Sequence, residues 1–253
     1  MLRFLLKVVG GRAVPGEVLL IAEAPIATVQ LVEAVLDHLE ATDVVRSRLV
    51  IGEIFGKLEL REDSFPLIVR SCDFETYQFT RVLRAHGIEY GFYLDDNFWL
   101  LDPHTPLGRH YRSRPIQRQL NWIVQNASLV IAASPLLRDY VSTRNANAVA
   151  VQSHFDFALV PQLPPTRRRH GVRGGFAGSA HRGADIQPIV DALVRMLDKH
   201  QDLEFEFIGP SGNLPMHERI RMFPYHETYE EYVAFQMSRA WDFGLAPLGP
   251  AES

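Results

Sequence analysis

Only one cysteine, Cys72, occurs in 253 residues. That excludes an intrachain disulfide and a thiolate zinc site, and it points to a reducing compartment. Lysine is nearly as scarce. Lys7, Lys57 and Lys199 are the three present among 26 basic residues, a bias ascribed to genome composition. No charge of one sign dominates, since 26 basic and 30 acidic residues leave a formal net charge of -4. The general electrostatic case for nucleic acid or an anionic bilayer as principal partner is therefore absent, although local basic patches remain available. The longest apolar run, Leu129 to Leu137, contains Ser134 and Pro135 and is far shorter than the ~20 residues that cross a bilayer. Lys7 interrupts the apolar opening segment, and no small-x-small cleavage site follows, so a soluble, cytoplasmic chain is expected.

What is present is ordinary globular composition: 47% hydrophobic, 22% charged and 10% aromatic. Short apolar runs alternate with stretches of helical period, the pattern of βα units around a parallel sheet. Val18 to Ala22, Arg48 to Gly52, Leu67 to Ser71, Ile88 to Leu94, Ser128 to Ala133 and Ala148 to Gln152 read as strands. Helices are expected over Ala27 to Leu39, Glu75 to His86 (closed by Gly87), Arg114 to Asn126, and after Ser134-Pro135, a capping serine followed by a first-turn proline. A segment rich in proline and arginine near residues 158 to 170 marks a linker. After it a second series begins, with strands from Arg173, Leu203 and Asp242 and helices over Ile186 to His200 and Tyr229 to Ser238. The expected architecture is α/β, with two Rossmann-like domains over residues 1–160 and 161–253, the second incomplete.

Gly175-Phe-Ala-Gly-Ser-Ala-His-Arg-Gly carries the strongest local signal. A strand, a small-residue turn and a helix would aim backbone N–H groups at an anion, and Gly178 would let that anion come close. His181 and Arg182 add donors there, a set suited to pyrophosphate, although neither Gly-x-Gly-x-x-Gly nor a P-loop is matched. Tight packing of the turn explains the small residues equally well.

Asp95-Asp96-Asn97 ends a strand on the side where open α/β sheets bind ligands. It could accept from sugar hydroxyls, shape the loop or hold a metal. The metal reading is the weaker one, because neighbouring side chains on an extended chain point apart. His104, His110, His154, His170, His181, His217 and His226 lack metal-ligand spacing. Arg109, Arg112, Arg114 and Arg118, and separately Arg167 to Arg169, form basic patches that are either solvated loops or contacts for phosphorylated lipid or nucleotide. No Gly-x-Ser-x-Gly elbow occurs and Cys72 has no evident partner, so nucleophilic hydrolase chemistry is not supported. The pattern assigns no catalytic residue.

Tyr93-Leu-Asp-Asp-Asn-Phe-Trp, Ser134-Pro-Leu-Leu-Arg-Asp-Tyr, the Gly175 segment through Ile186, Leu203-Glu-Phe-Glu-Phe-Ile-Gly-Pro and Trp241-Asp-Phe-Gly-Leu-Ala-Pro-Leu resemble, in that order, bacterial GT-B glycosyltransferases. They are most similar to family 4 enzymes of cell-surface polysaccharide clusters. The resemblance covers residues from about 88 onward. It implies a nucleotide-sugar donor held by the second domain, near Gly178, Ser179, His181, Arg182, Gly209, Pro210 and Tyr225. A glycan or lipid-linked acceptor would be held by the first, with Asp95, Asp96, Asn97, His104 and Ser134 on the cleft side. It further implies transfer with retention, no metal or other cofactor, no nucleic-acid partner, and work at the inner face of the membrane with peripheral contact.

The sequence departs from the family after Leu245-Ala-Pro-Leu. The family's further basic residue for the diphosphate, its ribose-binding glutamate and its crossing-back helix have no counterpart. The expectation is therefore a truncated or split enzyme, with a partner chain supplying the rest. Alternatives are a GT-A transferase with a metal on Asp95 and Asp96, a solute receptor, or a non-catalytic nucleotide-sugar-binding protein.

Overall fold

Glu17–Ala22 (β1) is buried at every position, so both of its faces must be covered, as in the middle of a parallel sheet. The computed structural model describes residues 15–52, 60–152, 155, 157–160, 171–179, 182–209, 214–226 and 228–247, and β1 indeed lies inside a parallel sheet there. Its neighbours are Arg46–Ile51 (β2) and Ser64–Val69 (β3), and the sheet runs on through Gly91–Leu94 (β4), Leu129–Ala132 (β5) and Ala148–Ala150 (β6), in the order β2-β1-β3-β4-β5-β6. Val18, Leu20 and Ala22 pack on Val29, Leu36 and Leu39 of helix Ala27–Ala41 (α1). On the other face, Leu19 and Ile21 share a core with Phe79 and Leu83 of Phe74–Ala85 (α2) and with Leu120, Ile123 and Val124 of Arg114–Asn126 (α4).

Helix starts follow local chemistry. Asp73 accepts from the Thr76 N–H at 2.6 Å and opens α2. Ser134 does the same for Leu137 at 3.1 Å, with Pro135 in the first turn of Pro135–Ser142 (α5). Gly87, at φ +70°, closes α2 in the left-handed conformation that glycine tolerates. The short helix Pro106–Tyr111 (α3), capped by Thr105, was not expected from periodicity because it is only 6 residues long. Buried Asn145 ties α4 to the sheet, donating to the carbonyls of Val124 at 2.7 Å and Ala127 at 2.8 Å.

The chain forms two compact units, Met1–Phe155 and Asp156–Ser253. The second unit holds Val172–Ala177 (β7), Leu203–Ile208 (β8), Ile220–Phe223 (β9) and Phe243–Gly244 (β10), all parallel, in the order β10-β7-β8-β9. Two expectations are corrected here. The continuous helix over 186–200 is instead one short turn, Gly183–Ile186 (α6), a 3-10 segment, Gln187–Ile189, and a helix proper, Val190–Lys199 (α7). Pro188 in the 3-10 segment lacks the N–H that a continuous ladder needs. Strand β9 was not anticipated, because it is short and only half apolar. The helix Tyr229–Ser238 (α8) has the expected bounds.

A buried ion network organises this unit. Glu206 on β8 is fully buried and accepts from Arg239 Nε at 2.9 Å, Arg239 Nη2 at 2.7 Å and Trp241 Nε1 at 2.9 Å. Arg173 Nε lies 3.4 Å from it. Gly174 and Gly175 leave room for aromatic rings, since an added Cβ would sit 2.4 Å from Phe243 Cζ and 2.0 Å from Trp241 Cε2. Burial alone would raise the Glu206 carboxyl. The hydrogen bonds from Arg239 and Trp241, with the charges of Arg239 and Arg173, outweigh burial and hold it below its ordinary value of 4.5.

Removing one partner of a buried pair leaves the other charge bare, so Glu206→Ala is expected to destabilise the second unit by about 3–5 kcal/mol, read by hydrogen exchange of β8 amides. A depressed carboxyl stabilises the fold above its unfolded value and loses that contribution as pH falls. Protection of β8 in the unmodified chain is therefore expected to drop as pH is lowered below 4.5. Glu206→Gln should flatten that dependence.

Candidate functional site

Parallel strands put all their carboxyl ends on one edge, and a ligand finds a crevice where successive connections leave in opposite directions. In the first sheet that place lies between β1 and β3. A cavity of about 200 Å³ opens there, lined by Ala22, Glu23, Gly52, Ser71, Asp73, Glu75 and Thr76. The Ser71 hydroxyl donates to Glu23 Oε1 at 3.1 Å and lies 2.5 Å from the Thr76 hydroxyl. Sequence reading missed this cavity, because it depends on strand order. Cys72 beside it is buried, and burial with the nearby charges of Glu23 and Asp73 pushes its thiol well up, so it stays protonated and inert.

Asp95, Asp96 and Asn97 follow β4 at the same edge, as expected. Their organiser, Arg70, was not foreseen. Arg70 Nη1 donates to Asp95 Oδ2 at 2.5 Å, Nη2 lies 3.7 Å from Asp96 Oδ2, and the guanidinium sits over the Phe98 ring at 5.1 Å. Phe98 is itself stacked on Tyr111 at 4.0 Å. Thr28 also donates to Asp95 Oδ2, while Asp95 Oδ1 is buried without a hydrogen-bond partner among the described residues. Burial disfavours the Arg70 charge, but Asp95 and Asp96 outweigh it and secure the cation.

The Arg70 backbone has φ +61°, a left-handed conformation costly for a side-chain-bearing residue. Its N–H reaches the Tyr93 carbonyl at 3.0 Å, which joins β3 to β4 at the point where both leave the sheet. A signal existed in the sequence, a charged residue directly after an apolar strand, but its turn could not be read.

The other first-unit candidates have structural duties. Asn97 Oδ1 accepts from the Trp99 N–H at 3.3 Å, which shapes the loop. Ser134 spends its hydroxyl capping α5. His104 is exposed, and its carbonyl accepts from Arg109.

In the second sheet the reversal lies between β7 and β10, which places it at the Gly178 turn. Gly209 and Tyr225, which follow β8 and β9 on the other side of β7, meet Gly178 at this edge. Gly209 has φ +88°, and a Cβ on it would fall 2.1 Å from the Gly178 carbonyl oxygen and 2.9 Å from Tyr225 Cδ2. The N–H of Gly178 reaches the Ile208 carbonyl at 3.0 Å, and the Ser179 carbonyl accepts from the Arg182 N–H at 3.0 Å. Arg182 is half-exposed and paired with Asp185 at 2.7 Å. The broken helix changes the electrostatics, because only one short turn, rather than a long macrodipole, follows the glycine. His154, His170, His181, Pro210 and Arg167 to Arg169 lie outside the described residues.

Beside Gly209 stands an aromatic group that sequence reading had touched only at Tyr225. Tyr225 and Tyr232 are 5.4 Å apart, Tyr232 and Tyr229 are 6.4 Å apart, and His226 lies against Phe235 at 4.6 Å. Burial, with Tyr225 and Tyr229 nearby, pushes the Tyr232 hydroxyl up to about 12. His226 Nε2 is buried without a hydrogen-bond partner among the described residues.

No protein-family model matches this sequence, and no curated protein matches it. Structural likeness is extensive. The S. aureus MnaA–UDP co-structure aligns with a TM-score of 0.54 at 10% identity, covering 90% of this chain and 74% of that one. The catalytic domain of starch synthase IV from Arabidopsis thaliana, bound to ADP and acarbose, gives 0.55 at 9% identity over 87% and 76%. An alpha-glucosyltransferase in complex with UDP and a mismatched 13-mer DNA gives 0.54 at 11% identity over 92% and 72%. The fold is that of the GT-B glycosyltransferases and related epimerases. Among the described residues, no helix is long and apolar enough to cross a membrane.

Arg70→Ala strips the cation from Asp95 while keeping the strained backbone, and is expected to destabilise the first unit by on the order of 2–4 kcal/mol. Arg70→Gly loses the same ion pair but relaxes the turn, so it should be about 1 kcal/mol less damaging than the alanine variant. Urea denaturation of both variants checks the difference.

Proposed function

We propose that this protein is a glycosyltransferase that moves a sugar from a nucleotide-sugar donor to a glycan or lipid-linked acceptor in cell-surface polysaccharide biosynthesis, working in the cytoplasm at the inner face of the membrane. The observation that carries the proposal is the convergence of Gly178, Gly209 and Tyr225, which follow β7, β8 and β9, at the carboxyl edge of the second sheet. A diphosphate needs donors it can approach closely and a cation to balance it. The small residues of the Gly178 turn let it come close, and Arg182, exchanging Asp185 for the ligand, can supply the cation. The half-exposed Tyr225 ring offers a stacking face for the base.

Neighbours of this fold include both transferases and epimerases. The acceptor side favours transfer. Glu23, Ser71 and Thr76 around the first-sheet cavity suit sugar hydroxyls. In the reaction the acceptor hydroxyl oxygen bonds to the anomeric carbon while the bond from that carbon to the diphosphate breaks. The hydroxyl proton leaves with the diphosphate, and the resemblance to family 4 implies retention. Arg182 acts where the leaving charge develops, and no metal is expected to be required.

Calorimetry with UDP, GDP and ADP is expected to show binding that EDTA leaves unchanged. Arg182→Ala should weaken it about tenfold, or about 1.4 kcal/mol, and Gly209→Val should abolish it. Strict dependence on a divalent metal, or no nucleotide binding at all, would sink the reading.

A further inference from the structure

A second concave surface lies on the helical face of the first sheet, between α2 and α4. It encloses about 530 Å³ and is lined by Tyr77, Arg81, Arg118, Asn121, Trp122 and Gln125, a volume typical of small-ligand sites, which run about 300–1,000 Å³. None of these residues lines the cavity at the end of β1 and β3. Tyr77 and Trp122 meet edge to face, 5.4 Å apart at 88°, and both are half-buried. Arg81 stands over the Tyr77 ring at 5.6 Å. Arg118 is exposed, and among the described residues neither arginine makes an ion pair.

Asn121 fixes the polarity of the wall. Trp99 Nε1 and Arg144 Nε can only donate, and they reach Asn121 Oδ1 at 2.9 and 3.3 Å. Arg144 is in turn clamped over the Trp99 and Tyr140 rings at 4.6 and 4.5 Å. The carbonyl oxygen of Asn121 is therefore occupied, and its NH2 is the part left for the groove. With two guanidiniums and this amide, the wall is rich in donors. No carboxylate lines it.

We propose that this groove binds an acidic saccharide, whose sugar rings lie along the Trp122 and Tyr77 wall and whose carboxylate or phosphate groups pair with Arg118 and with Arg81 beside the Tyr77 ring. Charge complementarity selects an anion, and the aromatic faces select one carried on rings with apolar C–H surfaces. Single-stranded nucleic acid fits less well, because successive bases need successive stacking platforms rather than two perpendicular rings. A bilayer fits less well too, since both rings sit in a concavity instead of protruding. The site goes beyond the donor and acceptor readings and does not rest on them.

The experiment titrates the full chain with an oligogalacturonate hexamer while following tryptophan fluorescence. Maltohexaose, oligo(dT) and phosphatidylglycerol vesicles serve as comparison ligands. Saturable binding of the oligogalacturonate is expected, weakened by salt, with maltohexaose at least about tenfold weaker. Arg81→Gln with Arg118→Gln, both exposed and free of ion pairs, should leave the fold intact and weaken binding at least about tenfold. Trp122→Phe should remove the fluorescence change. No saturable binding, equal affinity for maltohexaose, indifference to the double substitution, or tighter binding to oligo(dT) or vesicles would overturn the proposal.

Discussion

Every strand in both sheets runs parallel to its neighbours, and most of what this molecule can do follows from that constraint. A parallel strand cannot return by a hairpin. Each must leave the sheet at its carboxyl end and cross back, in most cases through a helix, to re-enter at the opposite edge. The departure points therefore collect on one edge, where backbone N–H and carbonyl groups lose their ladder partners. Arg70 and Gly209 are two solutions to the same difficulty. Arg70 accepts a strained left-handed backbone so that its N–H can bridge to β4, and Gly209 adopts the left-handed turn without strain while the Gly178 carbonyl fills the space a side chain would take.

Two arginine–carboxylate groups show how burial decides the use of a charge. Around Glu206, every direction is closed: Arg239 grips it bidentately, Trp241 caps it and Arg173 stands behind. Such a centre can only hold structure. Around Asp95, Arg70 and Thr28 share a single oxygen, while the other is buried with no hydrogen-bond partner among the described residues. The difference matters because a buried acceptor without a hydrogen bond carries a desolvation cost that a saturated one does not.

Much of the fold was legible in the sequence. Apolar runs buried on both faces, Ser134-Pro135, Gly87 and the period of α4 are local signals, and the elements formed where those signals lie. The failures are of two kinds. Pro188 broke a helix whose apolar spacing continued across it, and β9 is too short for its alternation to register. The site was legible in part for the same reason. Asp95 and Gly178 could be placed at strand ends from the chain alone, but Arg70, the cavity by Glu23 and the meeting of Gly178 with Gly209 depend on which strand lies beside which. Strand order is a property of the whole sheet, and no short window of residues contains it.

The isolation of Cys72 has a practical corollary. Because the chain's sole thiol is sealed in the interior and held in its unreactive form, surface-directed thiol reagents meet a blank background. A pair of cysteines introduced by mutation, one in each unit, would carry spectroscopic probes without first having to remove a native residue. The distance between the probes would then report any movement of the two units on addition of a nucleotide.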